Sequence, residues 1–528
     1  FLIKFMEGAD KRFIIPVYQR NYDWKIEHCK QLFDDLVKVI KNERKSHFFG
    51  SIVSINNPDG GHSELLIIDG QQRLTTVSLL MLTMYNLIQN GEVIPESAHL
   101  GARLYEDYLV DKWQPEDKRI KLKPIKNDSS AYEKLFGDED EMLKSSNLTI
   151  NYLYFAERIR KNEISIDDLY TAIGRLEIID IALNSEDNPQ LIFESLNSTG
   201  LDLSEGDKIR NYILMGLSIK EQDNYYKNYW NPIEIKTDYD VSNFIRDYLS
   251  VKQMETPAMA KVYVKFKEYV ENLQTNIEDL LIELLSYAKR YAILLHGRTG
   301  NYKVDASIYR LNQLKTTVTR PFLLEVLREK EEGNITEQDE EGILEVLESF
   351  LFRRNMCDLP TNSLNKIFVQ LHKEIIRLEK NSDCYLEKMK YILANKKEKA
   401  RFPNDDEFLE NLEEKNVYSM PSKNKWYLFE RFENGENLEN HRNIYRMLEE
   451  GVYSIEHIMP QHLTPKWKQD LGEQCNEIYN KWLHRLANLT LTAYNSKYSN
   501  RSFAEKRDIK DGFKESGFKM NQKIALKD

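Results

Sequence analysis

The chain has 528 residues, of which 41% are hydrophobic and 30% charged, with only 14 Pro and 21 Gly. That length allows several independent cores, and the composition argues against extended disorder. A formal net charge of −11 argues against a protein that coats nucleic acid over its whole surface and confines any DNA contact to a local patch.

The opening residues 12–17 are predicted as a short strand, followed by the aromatic and basic loop of FIIPVYQRNYDW and a helix from about Lys25. In that helix Ile26, Cys29, Phe33, Leu36, Val37 and Ile40 share one face. Residues 48–55 and 64–68 read as two further strands flanking the turn-rich stretch 56–61, so a small sheet is expected. After Gly70 the period changes to that of a long helix, 71–88, with Leu74, Val77, Ser78 and Met81 on a buried face. The tract 77–88 is interrupted by Ser78, Thr83 and Asn86 and is too short to span a bilayer, so no membrane role is expected. No secretory signal is recognisable, which predicts a cytoplasmic location.

Residues 176–183 form another strand-like run, leading into a helix and the turn Asn197, Ser198, Thr199, Gly200. Ser204 with Asp207, and Thr336 with Asp339, have the spacing of helix N-caps. Residues 235–420 carry mainly helical periodicity, as at 277–295 and 343–352, and the break at Pro421 predicts entry into a last domain. Cys29, Cys357, Cys384 and Cys475 are too widely separated for a zinc knuckle or a redox dithiol.

Two constellations carry chemistry. In IIDGQQRLTT, Asp69 and Gly70 stand where a strand gives way to a helix, a junction whose free N–H groups and dipole favour an anion. Gly70 admits a phosphate close to the backbone, Arg73 can grip phosphoryl oxygens, and Gln71 and Gln72 can donate or position water. The same residues would also serve a plain tight turn with a surface arginine. Tyr18, Gln19, Arg20, Tyr22 and Trp24 add groups able to stack on a base, although Tyr22 and Trp24 would equally suit a core.

Near the other end, SIEHIMPQ reads as a strand ending in an acid and a histidine, followed about thirty residues later by LANLTLT and then Asn495 and Asn500. This is the order of a ββα-metal nuclease: His457 as general base, with Glu456 and the amide oxygen of Asn495 as ligands of Mg²⁺ or Mn²⁺ rather than zinc. His462 and His484, lacking Cys partners, are set aside. The basic run Arg501, Lys506, Arg507, Lys510, Lys514, Lys519, Lys523 and Lys527 is a candidate DNA footprint or a solvated face.

FIIPVYQRNYDW, FFGSIV, IIDGQQRLTT and FESLNSTGLDLSEGDKIRNYIL resemble the signature blocks of the N-terminal domain of the GmrSD family. LFRRNMCDLPTNSLNKIF resembles its middle region, and IEHIMPQ with LANLTLTAYNSKYSNRSFAEK its C-terminal His-Asn-His nuclease domain. The resemblance implies an α+β, mostly helical chain. A ParB/sulfiredoxin-like sheet domain would occupy 1–230, a helical connection 231–420 and an HNH nuclease domain 421–528. It further implies a nucleoside triphosphate (GTP, UTP, ATP or CTP) bound and hydrolysed by Gln19, Arg20, Asp69, Gly70, Gln71, Gln72 and Arg73, with Asp69 and Arg73 catalytic. His457 becomes the general base, Asn488 the brace of the catalytic loop, and Glu456 and Asn495 the metal ligands. Many His-Asn-His nucleases have Asp where this chain has Glu456, so metal ligation by that residue is where the chain departs from the resemblance. The implied activity is defence against phage by cutting double-stranded DNA bearing glucosylated hydroxymethylcytosine or phosphorothioate, with nucleotide turnover regulating cleavage; a homo-oligomer is left open. The alternatives are a nucleotide- or modified-DNA-sensing scaffold that does not cut, and an RNA-cleaving toxin.

Overall fold

The computed structural model describes residues 1–8, 11–57, 64–184, 187, 192, 203–215, 217–314, 317–379, 384–435 and 441–527. The predicted turn at Asn197 to Gly200 lies outside them. The fold is α+β and mostly helical, with a small mixed sheet in its N-terminal part. Two compact units are distinguished, Phe1–Ile235 with Met259–Leu285, and Lys236–Ala258 with Ser286–Asp528. No helix among the described residues is long and apolar enough to cross a membrane.

In the first unit β1 (Arg12–Ile14), β2 (His47–Asn56), β3 (Glu64–Asp69), β4 (Leu122–Lys123) and β5 (Leu176–Leu183) form one sheet in the order β4-β1-β3-β2-β5. β1 runs parallel to β3 and β4, and β2 parallel to β5; only β2 and β3 are antiparallel. β1 is shorter than the expected strand because Pro16 has no N–H to give to a ladder.

β3 leads directly into the helix Gln71–Gln89. A single buried face was expected there, yet every residue from Leu74 to Met84 is buried, because the helix is the centre of the unit. The helix Asn147–Arg160 and the turn Leu104–Leu109 pack against it. Leu79, Leu80, Met81 and Leu82 are all fully enclosed, each worth about 1.5–3 kcal/mol of apolar burial. Thr76 and Thr83 are tolerated inside because their hydroxyls donate to the carbonyls of Gln72 and Leu79 at 2.8 Å.

The second unit is helical apart from the antiparallel pair β6 (Ser454–His457) and β7 (Leu489–Thr492), in which Glu456 faces Thr490 and His457 faces Leu489 across the ladder. Its core gathers Phe352, Met356, Val417, Tyr427, Phe429, Tyr445, Leu489 and Leu491. Thr336 and Asp339 close a capping box for the helix Glu337–Met356, and in the first unit Ser204 caps Glu205–Leu214. After β7 come the short helices Asn495–Tyr498, which packs on β6, and Phe503–Asp508.

Candidate functional site

At the end of β3, Gly70 adopts φ +90° as the N-cap of the Gln71–Gln89 helix. A Cβ there would lie 2.8 Å from the Ser51 carbonyl oxygen and 2.9 Å from Ile52 Cγ1, so both the turn and the close approach of β2 demand glycine. Arg73 folds back over this turn: Nη2 donates to Ser51 O at 2.7 Å and to Asp69 Oδ2 at 3.0 Å. Its Nε is buried without a hydrogen-bond partner, and the guanidinium packs flat against Gly50.

Gln72 holds the aromatic loop. Its Oε1 accepts from the Asp23 N–H at 2.9 Å and the Trp24 N–H at 3.3 Å, while Nε2 donates to Asn21 O at 3.1 Å. Gln19 Nε2 donates to Ile68 O at 2.6 Å. Tyr18 and Tyr22 are buried, and the Tyr22 hydroxyl bonds Thr76 Oγ1 at 2.7 Å, so these two rings are core anchors with no face open to a base. Arg20, Gln71 and Gln72 line a space of about 10 Å³, room for one water. Beyond it, bounded by Pro16, Lys123, Ile125, Gln222, Asp223 and Lys227, lies a cavity of about 310 Å³.

Arg210 is a residue that reading the sequence did not single out. Its Nε donates to Tyr18 O at 2.8 Å, and its fork pairs with Asp207 at 2.7 Å and Glu234 at 2.6 Å, tying the helix Glu205–Leu214 to the loop. It stood inside the quoted GDKIRNYIL block, but nothing local marks which of that block's charged residues turns inward.

In the second unit, Asn488 links the ends of the long connection between β6 and β7. Its Oδ1 accepts from the Met459 N–H at 2.6 Å and its Nδ2 donates to Met459 O at 3.0 Å and Leu483 O at 2.9 Å. His457 is 5% exposed. Its Nε2 is 3.2 Å from His484 Nδ1, its Nδ1 is 3.3 Å from Gln461 Nε2, and the ring of Tyr418 lies over it at 4.5 Å. Burial first, then the neighbouring His484 and Lys506, push the His457 imidazole down to about 4, so the ring is neutral near pH 7.

Glu456 is held on the other face of β6. Lys506, 0% exposed, donates from Nζ to Glu456 Oε1 at 2.5 Å, to His457 O at 2.8 Å and to Ile458 O at 3.1 Å. Lys506 therefore leaves the basic run counted as a DNA footprint; its three donors are spent inside the protein. Its helix also carries Phe503, three positions earlier and tilted against Phe513 with ring centres 6.4 Å apart, a local sign that this lysine sits on an apolar face.

A hard divalent cation would need several oxygen donors free to face it. Here the Glu456 carboxylate is already neutralised by an ammonium group, and Asn495 is exposed at the start of its helix. Among the described residues no three His, Cys, Asp or Glu side chains gather into a metal site. This donor set does not fit Mg²⁺ or Mn²⁺, and no step is derived through either.

What the second site offers is a hydrogen-bonded histidine pair at a strand end, its inner member His457 neutral, on a loop braced by Asn488. His484, set aside in the sequence, is part of it; its 27-residue separation from His457 gives no local signal.

The family model of the GmrSD restriction endonuclease N-terminal domain matches residues 2–214, which contain the Gly70 turn. That of the GmrSD restriction endonuclease C-terminal domain matches residues 402–528, which contain the histidine pair. No curated protein matches the chain. With both terminal domains matched in order, the chain belongs to the GmrSD restriction endonuclease family.

Proposed function

We propose that this protein is a modification-dependent DNA endonuclease of phage defence, whose Gly70 turn binds and hydrolyses a nucleoside triphosphate and whose His457 site cleaves the phosphodiester bond. The observation that carries the nuclease reading is the coincidence of the family match at 402–528 with a neutral His457 in a braced loop. Hydrolysis of a phosphodiester requires a group that takes a proton from water, and a neutral imidazole does so without first losing one. The long connection between β6 and β7 brings that imidazole to the same strand end as Asn488, which holds the loop's shape against the departure of either end.

The nucleotide reading is supported by the Gly70 helix terminus with Arg73 beside it, and by a cavity of about 310 Å³ that borders Pro16 and Val17 of the loop after β1 and lies at the lower end of the usual ligand range. Asp69 keeps Arg73 beside the turn, and Gln72 and Gln19 fix the loop that borders it.

The deciding experiment offers the full chain phage DNA with glucosylated hydroxymethylcytosine, phosphorothioate DNA and unmodified DNA, each with GTP, UTP, ATP or CTP. Cleavage of a modified substrate, abolished by His457→Ala while nucleotide turnover persists, is expected; Arg73→Ala should abolish turnover. Burial of His457 beneath Tyr418 favours, as the second reading, a sensor that binds without cutting. Binding of modified DNA with no cleavage under any nucleotide would establish that reading and overturn the first.

A further inference from the structure

We propose that the second unit carries a binding site for a single nucleotide, in a cavity of about 580 Å³ among its helices whose floor takes the base and whose mouth takes the phosphate. None of the residues around His457 lines this cavity, and the proposal depends neither on the cleavage chemistry nor on the Gly70 turn.

The helices Tyr302–Gln313, Glu337–Met356 and Ser422–Asn434, all of the second unit, wall the cavity. A helix face turned towards other helices is ordinarily an apolar stripe. Here it is polar. The first helix presents Lys303, Ser307 and Arg310 around Ala306, and the second presents Glu345, Glu348, Ser349 and Arg353 around Phe352, each set at helical spacing. Ser307 and Glu348 are nevertheless buried. A gap left by imperfect packing is lined by apolar groups, and closing it adds stability. Charged and hydroxyl side chains held on the walls of an open cavity are instead the arrangement of a ligand site, and the volume falls within the usual ligand range.

The floor is built for a neutral ring with a polar rim. Arg310 closes a fork on Glu348, Nε to Oε2 at 2.7 Å and Nη2 to Oε1 at 2.8 Å, and the Tyr427 hydroxyl donates to Glu348 Oε2 at 3.1 Å, so the two charges cancel. Arg310 Nη2 also donates to Ser307 Oγ at 2.9 Å, which leaves the serine its own proton to give. Phe352 and Tyr427 add apolar surface, their ring centres 4.6 Å apart, and Phe408 stands 6.1 Å from Phe352. Aromatic faces stack on any base, and serine hydroxyls bond either donors or acceptors on its edge.

The mouth is cationic. Arg353 is spent on Asp405 at 2.6 Å, but Arg431 makes one long bond, 3.4 Å to the Gly435 carbonyl oxygen, and pairs with no carboxylate among the described residues. Exposed Lys303 lies on the same rim. A guanidinium fork with an ammonium beside it is a phosphate-binding pair. The wall at 302–353 lies outside both family matches, whereas Phe408, Tyr427 and Arg431 fall within 402–528, so an occupant would join the middle helices to the domain that carries His457. A base with its phosphate has two sources of the same chemistry: a free mononucleotide, or a nucleotide swung out of a DNA duplex.

Hydrogen exchange on the full chain tests the proposal, first with dAMP, dGMP, dCMP or dTMP and then with duplex phage DNA. Slower exchange over 302–310, 345–353 and 427–431 is expected. Slowing by a mononucleotide identifies a free ligand, and slowing by the duplex alone identifies an extruded nucleotide. The effect should vanish in Ala306→Trp, which fills the cavity, and Arg431→Gln should weaken binding about tenfold or more. Should Ala306→Trp fail to fold, Arg431→Gln, altered only at the mouth, decides. Absence of slowing with every ligand, slowing confined to the first unit, or slowing unchanged in either folded variant would overturn the assignment. These readings are the same whether or not the protein cuts DNA or hydrolyses nucleotide, so they stand or fall apart from the endonuclease reading.

Discussion

Replacing Lys506 by Met should unlock the end of β6. The ammonium is fully enclosed and distributes its three N–H donors to Glu456 Oε1, His457 O and Ile458 O. Met fills most of the same volume but leaves a carboxylate that is 4% exposed without its cation, and two carbonyls without a donor. Breaking a buried pair by removing one partner costs about 3–5 kcal/mol. The Glu456→Leu, Lys506→Met double variant removes both charges and should lose less than the single variant, which orphans the same two carbonyls and leaves an unpaired carboxylate besides. The single variant also enlarges a pH dependence that the raised Glu456 carboxyl already gives the wild type. Burial already raises the Glu456 carboxyl, and Lys506 is what opposes that rise. Without it the folded carboxyl titrates higher than in the unfolded chain, so the group's contribution is retained at low pH and lost as pH rises. Lys506→Met should therefore be closest to wild type near pH 5 and furthest from it near pH 8. Hydrogen exchange at the β6 and β7 amides, which reports local opening, measures the difference. Exchange within about 1 kcal/mol of wild type across that range would show that the lysine does not hold the strand.

The wild-type ring of His457 predicts the opposite slope. An unfolded imidazole titrates near 6.5 and the folded one near 4, so between those values the unfolded state binds more protons. Stability of the second unit should fall as pH drops through that window, by up to about 1.4 kcal/mol per pH unit, and His457→Gln should flatten the slope in urea unfolding. Gly70→Ala should cost at least about 1–2 kcal/mol for the left-handed backbone alone, before the contact with Ser51 O is relieved, and should lower both the thermal midpoint of the first unit and nucleotide turnover. Gln72→Ala deletes three hydrogen bonds to residues 21, 23 and 24. At about 1 kcal/mol each, that should speed tryptic cutting at Arg20 and Lys25 in limited proteolysis, and an unchanged cutting rate would remove Gln72 as the loop's anchor.

Much of the N-terminal frame could be read from neighbouring residues because its causes are local. A run of β-formers, a glycine and then a helical period announce β3, the Gly70 turn and the helix after it, as in the second unit the capping pair at Thr336 announces its own helix. What stayed hidden has causes far away in sequence. The all-round burial of residues 74–84 depends on what packs against the helix, and its Thr side chains read as polar until their hydroxyls are seen returning to the preceding turn. Gln72 reads as a ligand group, and Tyr22 as either a stacking or a core ring, because polar and aromatic side chains crowded in a loop look alike whether they face a nucleotide or a core.

The strand end at Glu456 shows the same limit most sharply. An acid beside a histidine suggests a cation site, and the suggestion of a positive charge is right in kind: a cation does sit against this carboxylate, but it is the ammonium of Lys506, 50 residues further along. The consequence reaches the chemistry. A carboxylate bonded to a lysine that also holds the His457 and Ile458 carbonyls fixes the backbone from which His457 projects, and His457 in turn holds the inward nitrogen of His484. Glu456 thus reaches the candidate site through the strand's geometry, by a path of three contacts, and a substitution there should be felt first as loss of order in the strand end and only then as loss of cleavage.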